Sequence, residues 1–182
     1  MNQRKYLTIC AVVTLGALTS ALPQAARSVA SPALPTPNAP QTDAQRKAYA
    51  PGDTSAAAVV NAFNQMAFFD HDPVNAMKKY LAADFIERSP DFGMDDSRTD
   101  KEAVVHFFET RGWKKGDPSQ DTVYQVIADT DHAAVFHKVV RTPGDRGTAY
   151  VDIFRVKNGL IVEHWAVAQP VSDKVSARHS MF

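Results

Sequence analysis

The sequence has 182 residues, a length that fits one globular domain, and 20 acidic residues balance 20 basic ones. Three of the basic residues, Arg4, Lys5 and Arg27, lie in the first thirty positions, which hold no acid, so the rest of the chain has 17 basic against 20 acidic residues. This slightly negative charge excludes the basic character by which proteins bind nucleic acid or an anionic membrane surface.

The amino-terminal segment predicts export. A basic start, MNQRK, precedes an apolar run from Tyr6 to Leu22, and the small residues around Ala30 suit a cleavage site. An uncleaved anchor helix is the alternative, but such a helix needs about 20 apolar residues and this run is shorter. We expect residues 1–30 to be a signal peptide, and the mature protein to be periplasmic or secreted, with no stable membrane association.

Cys10 is the only cysteine and leaves with the signal peptide, so the mature chain is expected to lack disulfides and thiolate metal sites. Residues 31–54 are rich in proline and alanine and predict a linker. The folded domain is expected over residues 55–172, and residues 173–182 are expected to form a tail.

Three helices are predicted in the first half of the domain. Apolar residues recur at helical spacing from Val59 to Phe69. Asp72 and Pro73 are typical of the start of a second helix, and a third is expected to begin at Thr99 or Asp100. The stretch between the second and third helices predicts a short extended piece and a polar loop.

Four short segments in the second half predict β-strands: TVYQVIA, AAVFHKVVR, TAYVDIFRV and LIVEHWAVA. Asn158 and Gly159 form a strong two-residue hairpin signal between the last two. Three helices followed by an antiparallel meander define an α+β domain, and the gap between helices and sheet is a place for a small ligand.

A regular hairpin at this turn would place Asp152 opposite Trp165, on the same face as Glu163. These three residues are therefore candidates for a dimer surface. His164 would lie on the other face, in a pocket wall, where a neutral imidazole could act as a general base. The alternative is a structural histidine bonded to a backbone carbonyl, and a one-residue change of register would exchange the faces.

The segments FIERSP, VIADTDHAAVFHKVVR and VDIFRVKNGLIVEHWAVAQPV, with the terminal SMF, resemble the SnoaL-like branch of the nuclear transport factor 2-like (NTF2-like) superfamily. The resemblance covers residues 55–182. It implies an α+β cone in which N-terminal helices pack on a curved antiparallel sheet, usually in a homodimer. It also implies a mostly apolar pocket and, for the polyketide cyclases of this branch, an aldol closure without metal or cofactor.

The sequence departs from this family where acid/base groups are expected. Relatives commonly have an acid at the position of Ala166, and glutamine and histidine at those of Glu87 and Arg88. His164 with Glu87 then remains as the candidate catalytic pair. The expected pocket residues are Phe85, Glu87, Arg88, His137, His164 and Ala166. The face of His137 is left open, because the connection TPGDRG does not fix the register of its strand.

Three functions follow as hypotheses. The first is an exported module that binds a small, mostly apolar organic molecule. The second is a cofactor-free cyclase, isomerase or lyase with a His/Glu acid-base pair. The third is a dimeric assembly module. No metal-binding spacing, phosphate loop or dinucleotide motif occurs in the sequence, so neither metal nor cofactor is expected.

Overall fold

A computed structural model describes Thr42 and residues 49–94, 97–110, 119–173 and 181–182. The predicted signal peptide and most of the predicted linker and tail lie outside these residues. Within the part that is described, no helix is long and apolar enough to cross a membrane.

Three helices precede the main part of the sheet, as predicted. Ser55 caps the first, because its Oγ accepts the backbone N–H of Ala58. Thr99 and Glu102 accept each other's backbone N–H in a capping box at the start of the third. The helices are α1 (Ala56–Asn64, continued by a π-helical turn over Gln65–Phe69), α2 (Pro73–Tyr80) and α3 (Asp100–Thr110).

The sheet has five strands in the order β1-β5-β4-β3-β2. The four predicted strands form an antiparallel meander, which confirms the α+β class. The predicted short extended piece is a full strand, β1, and it pairs in parallel with β5, so the sheet is mixed rather than purely antiparallel. The strands are β1 (Leu81–Glu87), β2 (Gln120–Ala128), β3 (His132–Val140), β4 (Thr148–Lys157) and β5 (Leu160–Pro170).

The hairpin between β4 and β5 turns where predicted. Asn158 and Gly159 both have positive φ, at 53° and 76°, and Lys157 pairs with Leu160. Positive φ at both central residues is the signature of a tight turn whose twist matches that of the flanking strands. The turn therefore fixes the first pairs of the hairpin.

A β-bulge at Val162 then shifts the register. Val162 has no partner on β4, so each later residue of β5 pairs one position further along than in a regular hairpin. Asp152 lies opposite Ala166, and Phe154 lies opposite His164. Because side chains alternate between faces, this shift brings the Asp152 side chain to the face that carries His164.

The predicted placement of Asp152 beside Glu163 and Trp165 was therefore wrong. The turn was identified correctly, but a bulge adds a residue without changing the apolar alternation that the sequence displays. Only Glu163 and Trp165 remain together on the outer face of the sheet.

The helices pack on the inner face of the sheet around Phe63, which is 2% exposed. Its ring makes edge contacts with the rings of Phe68, Tyr80 and Phe154, at centroid distances of 6.0, 6.2 and 5.6 Å. Phe63 also borders the cavity described below, so the same ring joins the core to the candidate site.

Replacement of this ring should be costly. Phe63→Ala is expected to lower the free energy of unfolding by about 3–5 kcal/mol, since a buried aromatic side chain is lost and a void remains. Urea denaturation followed by circular dichroism measures the change. Asp84→Ala is the control, because Asp84 is exposed on β1 and its loss should change stability by less than about 0.5 kcal/mol. Similar losses for both variants would contradict this description of the core.

Candidate active site

A cavity of about 150 Å³ lies between the helices and the inner face of the sheet. Its wall is mainly apolar and includes Phe68, Phe85, Phe92 and Phe107. A dry protein cavity of this volume accepts a ring the size of benzene. The cavity therefore suits a small molecule with an apolar body.

Five ionisable side chains cross the inner face of the sheet, and each strand contributes one. In spatial order from β2 to β1 they alternate between carboxylate and imidazole. We call them the charge chain: Asp121, His137, Asp152, His164 and Glu87.

Three of the four links in the charge chain are hydrogen bonds. Nδ1 of His137 lies 2.8 Å from Oδ1 of Asp121, and its Nε2 lies 3.0 Å from Oδ2 of Asp152. Nδ1 of His164 lies 2.8 Å from Oε1 of Glu87. The remaining link, from Oδ1 of Asp152 to Nε2 of His164, is 3.6 Å, which exceeds hydrogen-bonding distance. His164 Nε2 has no hydrogen-bond partner among the described residues.

Burial separates the ends of the charge chain from its centre. The side chains of Asp121 and Glu87 are each 1% exposed, whereas those of Asp152 and His164 are 12% and 9% exposed. Phe154 stacks on the imidazole of His164 at a centroid distance of 4.8 Å. The end carboxylates are enclosed by protein, and the central pair reaches the cavity.

Both imidazoles of the charge chain are protonated at neutral pH. Burial alone would lower the pKa of His137, but the charge of Asp152 and the hydrogen bonds that the ring donates to Asp121 and Asp152 raise that pKa to about 10. Burial likewise opposes the charge on His164, but the nearby carboxylate of Asp152 and the hydrogen bond to Glu87 raise its pKa to about 9. His164 is thus a proton donor, whereas the sequence suggested a neutral general base.

Asp152 is ionised for the complementary reason. Burial would raise the pKa of its carboxyl, but the positive charge and hydrogen bond of His137 and the positive charge of His164 hold that pKa well below its usual value. One carboxylate oxygen is bonded to His137, and the other faces the unpartnered nitrogen of His164. The cavity wall therefore offers an ionised acceptor next to a charged donor.

Glu87 was expected to form a catalytic pair with His164 in the pocket, but its carboxylate is only 1% exposed. Its Oε1 accepts the backbone N–H of Ser89 at 2.8 Å, and both of its oxygens lie within 2.9 Å of Nδ1 of His164. Glu87 therefore orients His164 and fixes which nitrogen points to Asp152. The structure brings together the two residues named from the sequence, but with Glu87 as a support for His164.

The other predicted pocket residues divide into two groups. Phe85, His137 and Ala166 line the cavity with His164 and Glu87. Arg88 does not line it, because its Nε donates to Oε1 of Glu163 at 2.7 Å.

Glu163 is held by two arginines of its own chain. Besides Arg88, Arg155 contacts it, with Nη2 2.7 Å from Oε2. These hydrogen bonds, led by that of Arg155, lower the pKa of the Glu163 carboxyl. The predicted dimer-face residue therefore already has charged partners within the chain.

Sequence reasoning missed Asp121 and assigned Asp152 to the wrong face. Asp121 follows a polar stretch and reads as part of a turn, although its spacing to Val123 places both on the inner face of β2. Asp152 gave no signal, because β4 has apolar residues on both faces and its periodicity does not show which face is buried.

One other cluster offers metal-type ligands. Among the described residues, the ligand atoms of Asp129, Asp131 and His132 lie within 4.8 Å of one another in an exposed turn. Oδ1 of Asp129 accepts the backbone N–H groups of Asp131 and His132, at 3.0 and 2.8 Å. These bonds account for the cluster as a turn motif, and we assign no metal to it.

Comparison with solved structures defines the class of fold. A putative ketosteroid isomerase from Kribbella flavida is 18% identical, with 66% of this chain and 82% of that chain covered and a TM-score of 0.50. NTF2-like proteins of unknown function from Mesorhizobium loti (18% identity, 66% and 97% coverage, TM-score 0.50) and Burkholderia xenovorans (14%, 65% and 86%, 0.52) are also similar. The domain therefore has the NTF2-like α+β fold.

The family is narrower than the fold. The sequence model of the SnoaL-like domain family matches residues 59–164, which is more than half of the chain. The protein therefore belongs to the SnoaL-like family. No curated protein shows significant similarity to the chain.

The pKa shifts of the two histidines make stability depend on pH. Their pKa values in the folded protein, about 10 and about 9, exceed the usual value of 6.5, so their stabilisation is complete below pH 6.5 and is lost as pH rises through 9 and 10. Between pH 7 and 9 the free energy of unfolding should fall by up to about 1.4 kcal/mol per pH unit for each histidine.

Urea denaturation at several pH values in this window measures the slope. His106 is exposed on α3, so His106→Gln should leave the slope of unfolding free energy against pH unchanged, whereas His137→Gln should reduce that slope. Stability that does not change with pH across this window would contradict the protonation states assigned to His137 and His164.

Proposed function

We propose that this SnoaL-like protein is an acid/base enzyme that moves a proton next to a carbonyl group in a small, largely apolar compound. The observation that carries the proposal is the open link of the charge chain. Oδ1 of Asp152 and Nε2 of His164 lie 3.6 Å apart in the cavity wall, and the other polar atom of each side chain is already engaged.

The roles of the two residues follow from their charges. Asp152 accepts the proton from the carbon beside the carbonyl through Oδ1, and His164 donates a hydrogen bond from Nε2 to the carbonyl oxygen as the enolate forms. Return of the proton to another carbon gives an isomer. Attack of the enolate carbon on a second carbonyl within the same molecule forms a ring instead.

The spacing of the pair suits this chemistry. The reacting carbon and the carbonyl oxygen of a ketone are separated by two bonds, so one molecule can contact both groups at once. His137 and Glu87 keep the pair oriented, since each bonds the atom that does not face the open link. The reaction requires only the donor and acceptor that the chain supplies.

The charge chain also favours catalysis over binding alone. Three carboxylates and two imidazolium groups are buried beside an apolar cavity, and their desolvation is costly even when they are paired. Apolar residues would serve a simple binding module at lower cost, whereas buried and shifted ionisable groups in a cleft are typical of active sites. One solved structure of this fold is described as a putative ketosteroid isomerase, and we propose chemistry of the same general class here.

Binding without turnover is the second candidate. Ala166 favours it, because a small residue opposite Asp152 leaves room for a ligand in the cavity. In that case, small ketones would bind without loss of their exchangeable protons.

We further propose that the protein is exported and forms a homodimer. The outer face of the sheet supports a dimer, since Val167 and Ile127 are 65% and 61% exposed there. An assembly role remains a third reading of this face. The mass of the native protein from its host tests both proposals through its cleaved terminus and its oligomeric state.

Catalysis can be tested without knowledge of the natural substrate. The protein should accelerate exchange of the protons beside the carbonyl of a small cyclic ketone in D2O, measured by NMR. Asp152→Asn and His164→Gln should each lower the rate about 10²–10⁴-fold, the usual effect of losing a positioned acid or base.

Two exposed positions give matched controls: Asp84→Asn on β1 and His106→Gln on α3 should exchange at the rate of the unaltered protein. Circular dichroism verifies that each variant is folded. If folded Asp152→Asn and His164→Gln exchange normally, the site assignment is wrong.

The pH dependence of exchange provides a separate test. The competent form has ionised Asp152 and protonated His164, so the rate should fall as pH rises through about 9, where His164 loses its proton. Because the pKa of Asp152 is held well below its usual value, the rate should not fall between pH 7 and 5. A rate that instead rises through pH 9 would identify a neutral histidine as the base.

A further inference from the structure

Arg141 extends the inner face of β3 to the rim of the cavity. The inward side chains of β3 alternate through Val135, His137 and Val139, and Arg141 continues this alternation just beyond the strand. It also lines the cavity, although the residue is exposed. Among the described residues that line the cavity, Arg141 is the only lysine or arginine.

The guanidinium of Arg141 has no carboxylate within ion-pairing distance among the described residues. Its Nη2 donates to the hydroxyl oxygen of Tyr150 at 3.3 Å. The nearby acid Asp145 accepts the backbone N–H groups of Gly147 and Arg141, at 2.9 and 3.5 Å, and not the guanidinium. These bonds, led by that of Gly147, lower the pKa of the Asp145 carboxyl, and the charge of Arg141 contributes to the same shift. The planar fork of donors is therefore available to a ligand, and such a fork matches a carboxylate.

Tyr150 connects this cation to the charge chain. It pairs with His137 across β3 and β4, and the two rings lie 5.4 Å apart. Tyr150 and Asp152 share the inner face of β4 and are two residues apart, which separates their Cα atoms by about 7 Å, and the guanidinium of Arg141 contacts Tyr150 rather than Asp152. A ligand can reach both places only if several atoms separate its carbonyl from its anionic group.

The charges around the cavity favour one orientation of such a ligand. The charge chain holds three acidic side chains and two histidines, and Asp91 adds another acid at the β1 side of the lining. Strand order places β1 and β3 on opposite sides of β5 and β4. An anionic group is therefore attracted to the rim at Arg141 and repelled from the opposite side.

We propose that the molecule taken by this cavity is an oxo acid, whose carboxylate is bound by Arg141 and Tyr150 while its ketone faces Asp152 and His164. The assignment of the ketone rests on the proposed function. Binding of the carboxylate is a separate contact, and Arg141 determines specificity without taking part in proton transfer.

The kinetic test compares acetylbutyrate with its neutral amide, acetylbutyramide, in the D2O exchange assay. The kcat/KM of the acid should exceed that of the amide about tenfold, as expected for hydrogen bonds to a charged group. Arg141→Gln should abolish this preference by lowering the kcat/KM of the acid to about that of the amide. Arg146→Gln is the matched control, because Arg146 lies in the same loop, donates to the Ser172 carbonyl and does not line the cavity.

A binding test separates this proposal from the proposed function. Hexanoate and hexanamide have no ketone, so their binding does not depend on catalysis. NMR titration should give hexanoate a Kd about tenfold lower than that of hexanamide in the unaltered protein and in Arg146→Gln, but not in Arg141→Gln. If hexanoate is preferred but no ketone exchanges its protons, the carboxylate site is supported and only the proposed catalytic function is refuted. Equal Kd values for the two compounds, or a preference that persists in Arg141→Gln, would overturn the proposal.

Discussion

The carboxylate of Asp152, held between two imidazolium groups, is the interaction on which the rest of this structure depends. A buried charge is tolerated only when opposite charges and hydrogen bonds surround it. Asp152 needs His137 and His164, and each of these needs its own outer carboxylate. The alternation can be satisfied only if all five strands contribute a residue at the right place, so the site depends on the order and register of the whole sheet.

The link between Asp152 and His164 differs from the other links of the charge chain. At its ends, Asp121 and Glu87 are enclosed and their oxygens are used within the protein. At its centre, the link between Asp152 and His164 is too long for a hydrogen bond. The fold thus places Nε2 of His164 and Oδ1 of Asp152 against the cavity, where a carbonyl compound can complete their hydrogen bonding.

Much of the fold could be predicted because its signals are local. Helix caps, apolar periodicity and the Asn158–Gly159 turn each depend on neighbouring residues, and they gave the helices and the four antiparallel strands. β1 was missed as a strand because it pairs in parallel with a distant strand, and no hairpin turn in the sequence signals such pairing. The bulge at Val162 was missed because an added residue leaves the apolar pattern intact.

The site was harder to predict for the same physical reason. Ala166 was interpreted as the loss of the acid that relatives carry. This interpretation considered only the residues of β5 and not those of the strand that pairs with it. The structure places Asp152 on β4 directly opposite Ala166, so a carboxylate faces the same part of the cavity from the neighbouring strand. The absence of an acid at position 166 therefore did not show that the site lacks one, because the neighbouring side chains depend on pairing between strands.

The position of β5 between β4 and β1 has a consequence for how the chain folds. Leu81 pairs with Ile161, so the first strand of the sheet has no partner until nearly the whole domain has been synthesised. Such distant pairing closes a long loop before it yields any stabilisation, and proteins rich in such pairings fold slowly. Assembly of the sheet, and with it of the charge chain, is therefore a late and cooperative event, completed by the last strand of the domain.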